Sequence, residues 1–114
     1  MLTQATLEKL LAFRKEREWE QFHSPKNVSM ALSVEAAELM EIFQWASDAD
    51  TTDLAIRRRK DIEYEVADIA ILLSYFCHDL GISLNEAVEA KIEANREKYP
   101  VEKAKGSSTK YNRL

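Results

Sequence analysis

Residues 35–68 read EAAELMEIFQWASDADTTDLAIRRRKDIEYEVAD, and this stretch decides the fold. It contains two short acidic motifs, Glu35-Ala-Ala-Glu38 and Glu65-Val-Ala-Asp68, each set in an apolar pattern of helical period. A helix advances about 100° per residue, so carboxylates three positions apart lie on one face. If the two helices pack antiparallel, four carboxylates converge on one small volume.

Four carboxylates this close together predict a bound cation. Like charges in a partly desolvated site raise one another's pKa values, so all four are costly to ionise unless a cation lies among them. Oxygen ligands suit a hard cation such as Mg²⁺ or Mn²⁺, and Mg²⁺ usually keeps several waters while it bridges to substrate phosphates. The chemistry we infer is a metal-bound phosphate beside a carboxylate that orients or deprotonates water.

Length and charge set the broad class. The chain has 114 residues and a formal net charge of −4, with acids and bases spread along it. This length fits one domain over residues 1–114, with a polar C-terminal tail from about residue 99. Without a basic stripe, we expect no polymeric nucleic acid as partner. A single cysteine, Cys77, excludes an internal disulfide framework and fits a reducing cytoplasm.

Two further features narrow the function. Gly81 and Gly106 are the only glycines, so neither a Walker loop nor a dinucleotide-binding loop can be written with this sequence. The first residues show no basic region followed by an apolar core, and we expect no signal peptide. The longest apolar stretch, Ile69–Cys77, is too short to span a bilayer. We therefore expect a soluble, cytoplasmic protein that handles phosphates with metal and side chains.

The apolar pattern predicts an all-α, four-helix bundle-like protomer. We expect a first helix of about four turns capped by Thr6, a connection over 19–25, a second helix over 26–45, a third over 54–80 that ends at Gly81, and a fourth from the capping box Ser83-Leu84-Asn85-Glu86 to about Lys98. Residues 69–77 are apolar nearly all round, which predicts burial on several sides. In so small a domain this favours a symmetric homodimer or homotetramer.

Other interpretations of the same residues stay open. Acids three apart are common on solvated helix faces. A di-iron bundle needs two Glu-x-x-His motifs, and only Glu20-Gln21-Phe22-His23 exists here. Cys77 and His78 are neighbours on a helix and point in different directions, so they do not form a nucleophile pair.

The sequence resembles the all-α nucleoside triphosphate pyrophosphohydrolases of the MazG type, and within them the dCTP pyrophosphatase-like branch. The four acids match the pattern Glu-x-x-Glu, spacer, Glu-x-x-Asp position by position. The resemblance continues through the strings REWEQFH at 17–23, FQW at 43–45, Lys91 with NR at 95–96, KYP at 98–100, KGS at 105–107 and KY at 110–111. It therefore covers nearly the whole chain.

The resemblance implies hydrolysis of a nucleoside triphosphate to the monophosphate and pyrophosphate, with Mg²⁺ held by Glu35, Glu38, Glu65 and Asp68. It implies water attack on the α-phosphorus, and a tight dimer or a dimer of dimers with active sites built across subunits. We assign the activation of water to Glu38. The resemblance places Trp19, Trp45 and His23 around the base, and Lys91, Asn95, Arg96 and Tyr99 at the phosphate and sugar end.

One position departs from the family pattern. Leu72 stands where many relatives carry a tyrosine that contacts the substrate, and Tyr75 lies three residues further on. Preference for dCTP or a modified cytosine nucleotide is therefore a finer prediction than the reaction class.

Without the resemblance, Trp19, Phe22 and Trp45 are equally typical of core aromatics. The cations of the fourth helix are equally typical of a solvated helix C-terminus. The alternative function is a non-catalytic helical oligomerisation or interaction module. A further alternative is a related helical phosphohydrolase of another pyrophosphate-containing metabolite.

Overall fold

The computed structural model describes residues 2–114, and every regular element in that range is helical, which confirms the all-α prediction. In chain order the elements are α1 (Gln4–Glu16), a 3₁₀ turn (Trp19–Phe22), α2 (Pro25–Phe43), a 3₁₀ turn (Asp48–Asp50), α3 (Thr51–Arg57), α4 (Arg59–Leu80), α5 (Leu84–Lys98), α6 (Val101–Ala104) and a 3₁₀ turn (Tyr111–Arg113).

These elements form two compact units, Leu2–Gly81 and Ile82–Leu114. The first unit contains α1 to α4 and both acidic motifs. The second contains α5 and the C-terminal residues, where α6 and the last 3₁₀ turn are each a single short turn. That the two units form one domain stays a prediction.

The first helix begins earlier than predicted. Thr3, not Thr6, is the N-cap: its backbone is extended, with φ −67° and ψ 157°, and its hydroxyl accepts a hydrogen bond from the Thr6 N–H at 3.2 Å. Thr6 is therefore the donor partner inside the first turn, three positions after the cap, as capping geometry requires. The apolar pattern begins at Leu7 and could not separate the two threonines.

The connection between α1 and α2 is a short, well-bonded segment. Glu18 takes the left-handed conformation, with φ 53°, and turns the chain into the 3₁₀ turn. Ser24 caps α2 by accepting from the Asn27 N–H at 3.1 Å, and Pro25 occupies the first helical position. The Asn27 side-chain amide donates to the Phe22 carbonyl at 3.0 Å. This hydrogen bond joins the end of the connection to the first turn of α2.

The third predicted helix is two helices, so the prediction of one helix over 54–80 was wrong at its N-terminal end. The break falls at Arg58, which has φ −106° and ψ 26°. A continuous helix would bring Arg57 and Lys60 one turn apart, where like charges are destabilising. The end of α4 is as predicted: Gly81 adopts φ 65°, a left-handed conformation that glycine accepts without strain.

The core of the first unit lies where α2 packs on α4. The two helices run antiparallel, the arrangement that convergence of the acids requires: Ile42, late in α2, shares a cleft with Tyr64, early in α4, whereas His23, just before α2, lies against Tyr75, late in α4. Val28 and Tyr75 are the buried hydrophobic residues of the described range, at 2% and 3% exposed. Antiparallel packing is what brings the two acidic motifs face to face.

Apolar side chains on the first unit remain open to solvent. Met30, Val34 and Met40 of α2 are 57%, 56% and 58% exposed, and Val66 of α4 is 50% exposed. Residues 69–77, predicted to be buried on several sides, are buried only at Ser74 and Tyr75 and half-buried at the remaining positions.

No single helix within residues 2–114 is long and apolar enough to cross a membrane, and only α4 and α5 taken together reach such a length and composition.

Candidate active site

Three of the four predicted acids meet between α2 and α4. Glu35, Glu38 and Glu65 each place one carboxylate oxygen within 4.8 Å of the other two. Glu35 and Glu65 are half-buried, and Glu38 is exposed at the edge of the group. These three residues, the acidic cluster, could hold a metal ion because each offers a hard oxygen ligand toward one point.

Asp68, the fourth predicted acid, lies beside the acidic cluster and outside its tightest part. It lines a cleft together with Glu35. Its negative charge is also one of the causes that raise the pKa of Glu35. Asp68 therefore lies near the acidic cluster, and its role as a metal ligand stays a prediction.

Two carboxylate oxygens in the cluster have no partner within the described residues. Oε2 of Glu35 and Oε2 of Glu65 are both buried and accept no hydrogen bond there. A buried polar atom without a partner is destabilising, and a buried charge without one is more so. A divalent cation would satisfy both oxygens at once, so these residues fit the metal that the sequence predicts.

The pKa of Glu35 is raised to about 7, chiefly by burial and also by contact with Glu38 and Glu65 and by the negative charges of Glu38 and Asp68. Burial also raises the pKa of Glu65; Glu38 and Asp68 add to this rise, while contact with Glu35 opposes it. The metal-free cluster therefore retains a proton well above the pH at which an isolated glutamic acid loses it.

The thermal stability of the metal-free protein should depend on pH through Glu35. A carboxyl whose pKa is raised on folding stabilises the folded state below its unfolded pKa and loses that contribution as pH rises through its folded pKa. The folded value is about 7, against an ordinary value of 4.5. We expect the difference in Tm between wild type and Glu35→Gln, without metal, to fall between pH 5 and pH 8.

Comparison with Glu35→Gln is needed because His23 has the opposite effect in the same range. The pKa of His23 is lowered, so its contribution to stability rises with pH, and it cancels in the difference between the two proteins. Adding Mg²⁺ should raise the wild-type Tm more at pH 8 than at pH 5.5, since metal competes with the retained proton. A Tm difference that is flat with pH would contradict the geometry of the cluster.

An aromatic cleft of about 310 Å³ opens beside the acids. We name it the aromatic cleft; its lining residues are Leu10, Phe13, Trp19, His23, Glu35, Asp68, Ile71, Leu72 and Tyr75. The structure thus brings together two of the predicted base-contacting residues, Trp19 and His23, with two of the predicted metal ligands. Trp19 is 43% exposed and packs edge-on against Phe13, with ring centroids 5.7 Å apart. A flat, apolar group can enter such a cleft with its polar end toward the acids.

His23 is the polar side chain of the aromatic cleft opposite the acids. Its ring centroid lies 5.2 Å from that of Tyr75, and its Nδ1 is buried without a hydrogen-bond partner among the described residues. Burial, and next the positive charge of Arg14, lower the pKa of His23. His23 is therefore mainly a neutral imidazole at neutral pH, and its Nδ1 is enclosed by the protein.

This chain has Leu72 where the family pattern has a tyrosine, and Tyr75 lies three residues further on. Leu72 and Tyr75 both line the aromatic cleft. The Tyr75 hydroxyl donates to the Leu10 carbonyl at 3.3 Å, and the residue is 3% exposed. Tyr75 thus presents its ring, and not its hydroxyl, to the cleft.

Trp45 lies away from the aromatic cleft in this chain. It is 89% exposed and borders a separate cleft of about 490 Å³ with Asp53 and Arg57. The other predicted substrate residues, Lys91, Asn95, Arg96 and Tyr99, belong to the second unit, on α5 and at its end. There Arg96 pairs with Glu93 at 3.3 Å, and Tyr99 packs edge-on against Tyr111. A role for these residues in the site stays a prediction.

Sequence reasoning missed a second, charged cleft on the other side of the acids. It has a volume of about 470 Å³, and Arg58 and Tyr64 line it with Glu38 and Glu65. Arg58 pairs with Asp61 at 2.9 Å. The acids therefore lie between an aromatic cleft and a charged one. The basic run at 57–60 marks this region in the sequence, but its helix break could not be predicted from periodicity.

The chain is all-helical and carries a carboxylate cluster on two antiparallel helices, beside an aromatic cleft. These features place it among helical proteins whose carboxylates could hold a metal ion. The comparison with known families is more specific. The chain belongs to the MazG-like family, whose model matches residues 30–114. The resemblance stated from the sequence is thereby confirmed.

Individual relatives agree with the family assignment. The chain is 40% identical over 104 residues to dCTP pyrophosphatase 1 of Rattus norvegicus and 38% identical over 104 residues to that of Homo sapiens. Each match covers 90% of this chain and 61% of the relative, so the chain spans about three fifths of the length of these curated relatives. The crystal structure of a pyrophosphatase from Archaeoglobus fulgidus superposes with a TM-score of 0.82 at 41% identity, covering 85% of this chain and 91% of that one.

Proposed function

We propose that this protein is a Mg²⁺-dependent nucleotide pyrophosphohydrolase that converts a (deoxy)nucleoside triphosphate to the monophosphate and pyrophosphate. The observation that carries the proposal is the acidic cluster, with two unpartnered carboxylate oxygens, at the edge of an aromatic cleft. The names of the relatives support the same reaction. dCTP or a modified cytosine nucleotide is the proposed preferred substrate, and sanitation of the nucleotide pool the proposed role.

In the proposed mechanism Glu35, Glu38, Glu65 and Asp68 would hold the metal. A bound Mg²⁺ (or Mn²⁺) would neutralise phosphate charge and make water more acidic. Glu38 orients a water and takes its proton, since it is the exposed carboxylate of the cluster and can reach solvent. The water oxygen bonds to the α-phosphorus, the bond from that phosphorus to the bridging oxygen breaks, and pyrophosphate leaves.

The nucleoside end is assigned to the aromatic cleft. Trp19 offers a ring face or edge to the base, and His23, which lines the same cleft, offers its imidazole. Together they would fix the orientation of the base and leave the triphosphate directed at the acids. The resemblance supports assigning Trp45 to the base as well, and Lys91, Asn95, Arg96 and Tyr99 to the phosphates and sugar.

A homodimer or homotetramer is the proposed assembly. The exposed apolar residues of α2 and α4 support it, because an apolar patch rimmed by polar residues is typical of a subunit interface. A cytoplasmic location, with neither membrane nor polymeric nucleic acid as partner, is proposed on the sequence arguments alone.

The test is product analysis. We expect incubation of the protein with each dNTP and Mg²⁺ to release pyrophosphate and the corresponding monophosphate, with the highest kcat/KM for a cytosine nucleotide. Release of orthophosphate and a diphosphate would overturn the mechanism. Hydrolysis confined to another pyrophosphate-containing metabolite would instead favour the related phosphohydrolase.

A thermal-shift panel separates this proposal from a non-catalytic interaction module. A protein that binds Mg²⁺ and a nucleotide must gain stability by mass action, about 2.7 kcal/mol at a ligand concentration a hundred times Kd. An interaction module whose acids are only surface charge shows no shift with any nucleotide.

A further inference from the structure

Behind the aromatic cleft lies a partly buried ion pair that the proposed mechanism does not use. Nη1 and Nη2 of Arg14, on α1, donate to Oδ2 and Oδ1 of Asp79, on α4, both at 2.8 Å. Arg14 is 4% exposed and Asp79 31% exposed. A bidentate pair fixes orientation as well as distance, because the plane of the guanidinium and the plane of the carboxylate are both constrained. The pair therefore holds α1 in one position against the last turn of α4.

Tyr75 connects this ion pair to the cleft. The Arg14 guanidinium carbon lies 4.5 Å from the centroid of the Tyr75 ring, a favourable cation–π distance, and the Tyr75 hydroxyl is bound by the Leu10 carbonyl of α1. The ring of Tyr75 and its hydroxyl are thus both in contact with α1.

His23 rests against that ring. Its centroid lies 5.2 Å from that of Tyr75, with the planes inclined at 37°. His23 follows the 3₁₀ turn over Trp19–Phe22, and its backbone N–H donates to the Glu20 backbone carbonyl at 3.1 Å. Within the described residues its Nδ1 has no hydrogen-bond partner. Among residues 2–114 no side-chain hydrogen bond to Nδ1 holds the imidazole there, and its packing against the Tyr75 ring is the ring-to-ring contact that the structure shows for it.

We propose that the Arg14–Asp79 ion pair, acting through the ring of Tyr75, positions His23 in the aromatic cleft and so sets which nucleobase the enzyme prefers. Arg14, Tyr75 and Asp79 are positioning residues: none of them is assigned a contact with substrate. The inference rests on the proposed function, since it needs a nucleotide in the cleft.

Loss of the Arg14–Asp79 ion pair should change KM and not kcat. The residues of the acidic cluster lie on α2 and the first half of α4, and the ion pair includes none of them. Removing the ion pair should therefore leave the chemical step unchanged. A mobile imidazole forms its hydrogen bond to the base less often, in ground state and transition state alike, which raises KM and leaves kcat unchanged. Loss of about one hydrogen bond corresponds to about a tenfold rise in KM.

The test compares Arg14→Met with Arg59→Met. Arg59→Met removes an exposed ion pair to Glu63, 2.9 Å long, from α4 and serves as the matched control. We expect Arg14→Met to raise KM for the preferred nucleotide about tenfold, to keep kcat within about twofold, and to narrow the ratio of kcat/KM between dCTP and dTTP. The control should leave all three quantities at wild-type values. If Arg14→Met does not fold, Arg14→Lys, which keeps the charge and loses the fork, should show a smaller change of the same kind.

A double-mutant cycle with His23→Ala decides whether the effect passes through His23. In that background Arg14→Met should change KM by less than about twofold. An equal rise in KM with and without His23, or a fall in kcat at constant KM, would overturn the inference. A wild type that hydrolyses no nucleotide would overturn the proposed function and this inference with it, whereas an active wild type whose Arg14 variants keep KM and base preference overturns this inference alone.

Discussion

Replacing Glu38 with Gln will lower kcat for nucleotide hydrolysis by about 10²- to 10⁴-fold, the range typical for loss of a general base. The substitution keeps the side-chain shape and removes both the proton acceptor and one negative charge of the acidic cluster. Glu38 is exposed, so the helical fold should be unchanged. Steady-state kinetics with Mg²⁺ and the preferred dNTP, together with far-UV circular dichroism, measure the two effects.

The matched control is Glu8→Gln. Glu8 is exposed on α1, where it accepts a hydrogen bond from the Gln4 amide at 3.3 Å, and it takes no part in the acidic cluster. Its kcat should stay within about twofold of wild type. A Glu38→Gln protein with wild-type kcat would show that another group activates the water.

The second large effect is on stability and depends on which partner of the Arg14–Asp79 pair is removed. Asp79→Ala leaves Arg14, 4% exposed, as a buried charge without its partner, and should cost about 3 kcal/mol. Arg14→Met leaves Asp79, 31% exposed, able to turn to water, and should cost about 1 kcal/mol. Urea unfolding of the two variants measures both values.

An exposed pair provides the reference. Arg57 and Asp53 are joined at 2.9 Å, with side chains 63% and 72% exposed, and Asp53→Ala should cost under about 1 kcal/mol. The hydrogen bonds from Arg14 hold the pKa of Asp79 below its ordinary value, so this stability is present above the ordinary pKa and is lost as pH falls through the lowered one. Equal costs for the two variants at Arg14 and Asp79 would show that their difference in burial does not matter.

The site could be predicted from the sequence where it depends on helical period. Glu35 and Glu38 share one face of α2, and Glu65 and Asp68 share one face of α4. Periodicity therefore predicts each acidic pair, because the geometry of a helix fixes where its side chains point. Antiparallel packing was a condition of the prediction, since the connection over 44–58 contains α3 and does not by itself decide the relative direction of the two helices.

The ion pair behind the aromatic cleft could not be predicted in this way. Arg14 and Asp79 lie 65 residues apart, and their pairing depends on how α1 packs against α4. An arginine and an aspartate on two amphipathic helices give no sign in the sequence that they are buried. The same holds for Tyr75, whose hydroxyl is bound by a backbone carbonyl and not by a residue that a motif could name.

The helix break at Arg58 shows a further limit. The apolar positions keep helical spacing across it, so the pattern predicts one helix where there are two. The break is confined to Arg58, within the basic run 57–60, and a local change of this kind leaves the apolar spacing intact. Its consequence for function is that Arg58 borders the charged cleft beside the acids and not a continuous helix face.

The central claim is that this chain directs water to the α-phosphorus of a nucleoside triphosphate. The most direct measurement is hydrolysis of dCTP with Mg²⁺ in water enriched in oxygen-18, followed by mass spectrometry of both products. We predict one labelled oxygen in dCMP and none in pyrophosphate. Label in the pyrophosphate, or release of labelled orthophosphate with dCDP, would contradict it.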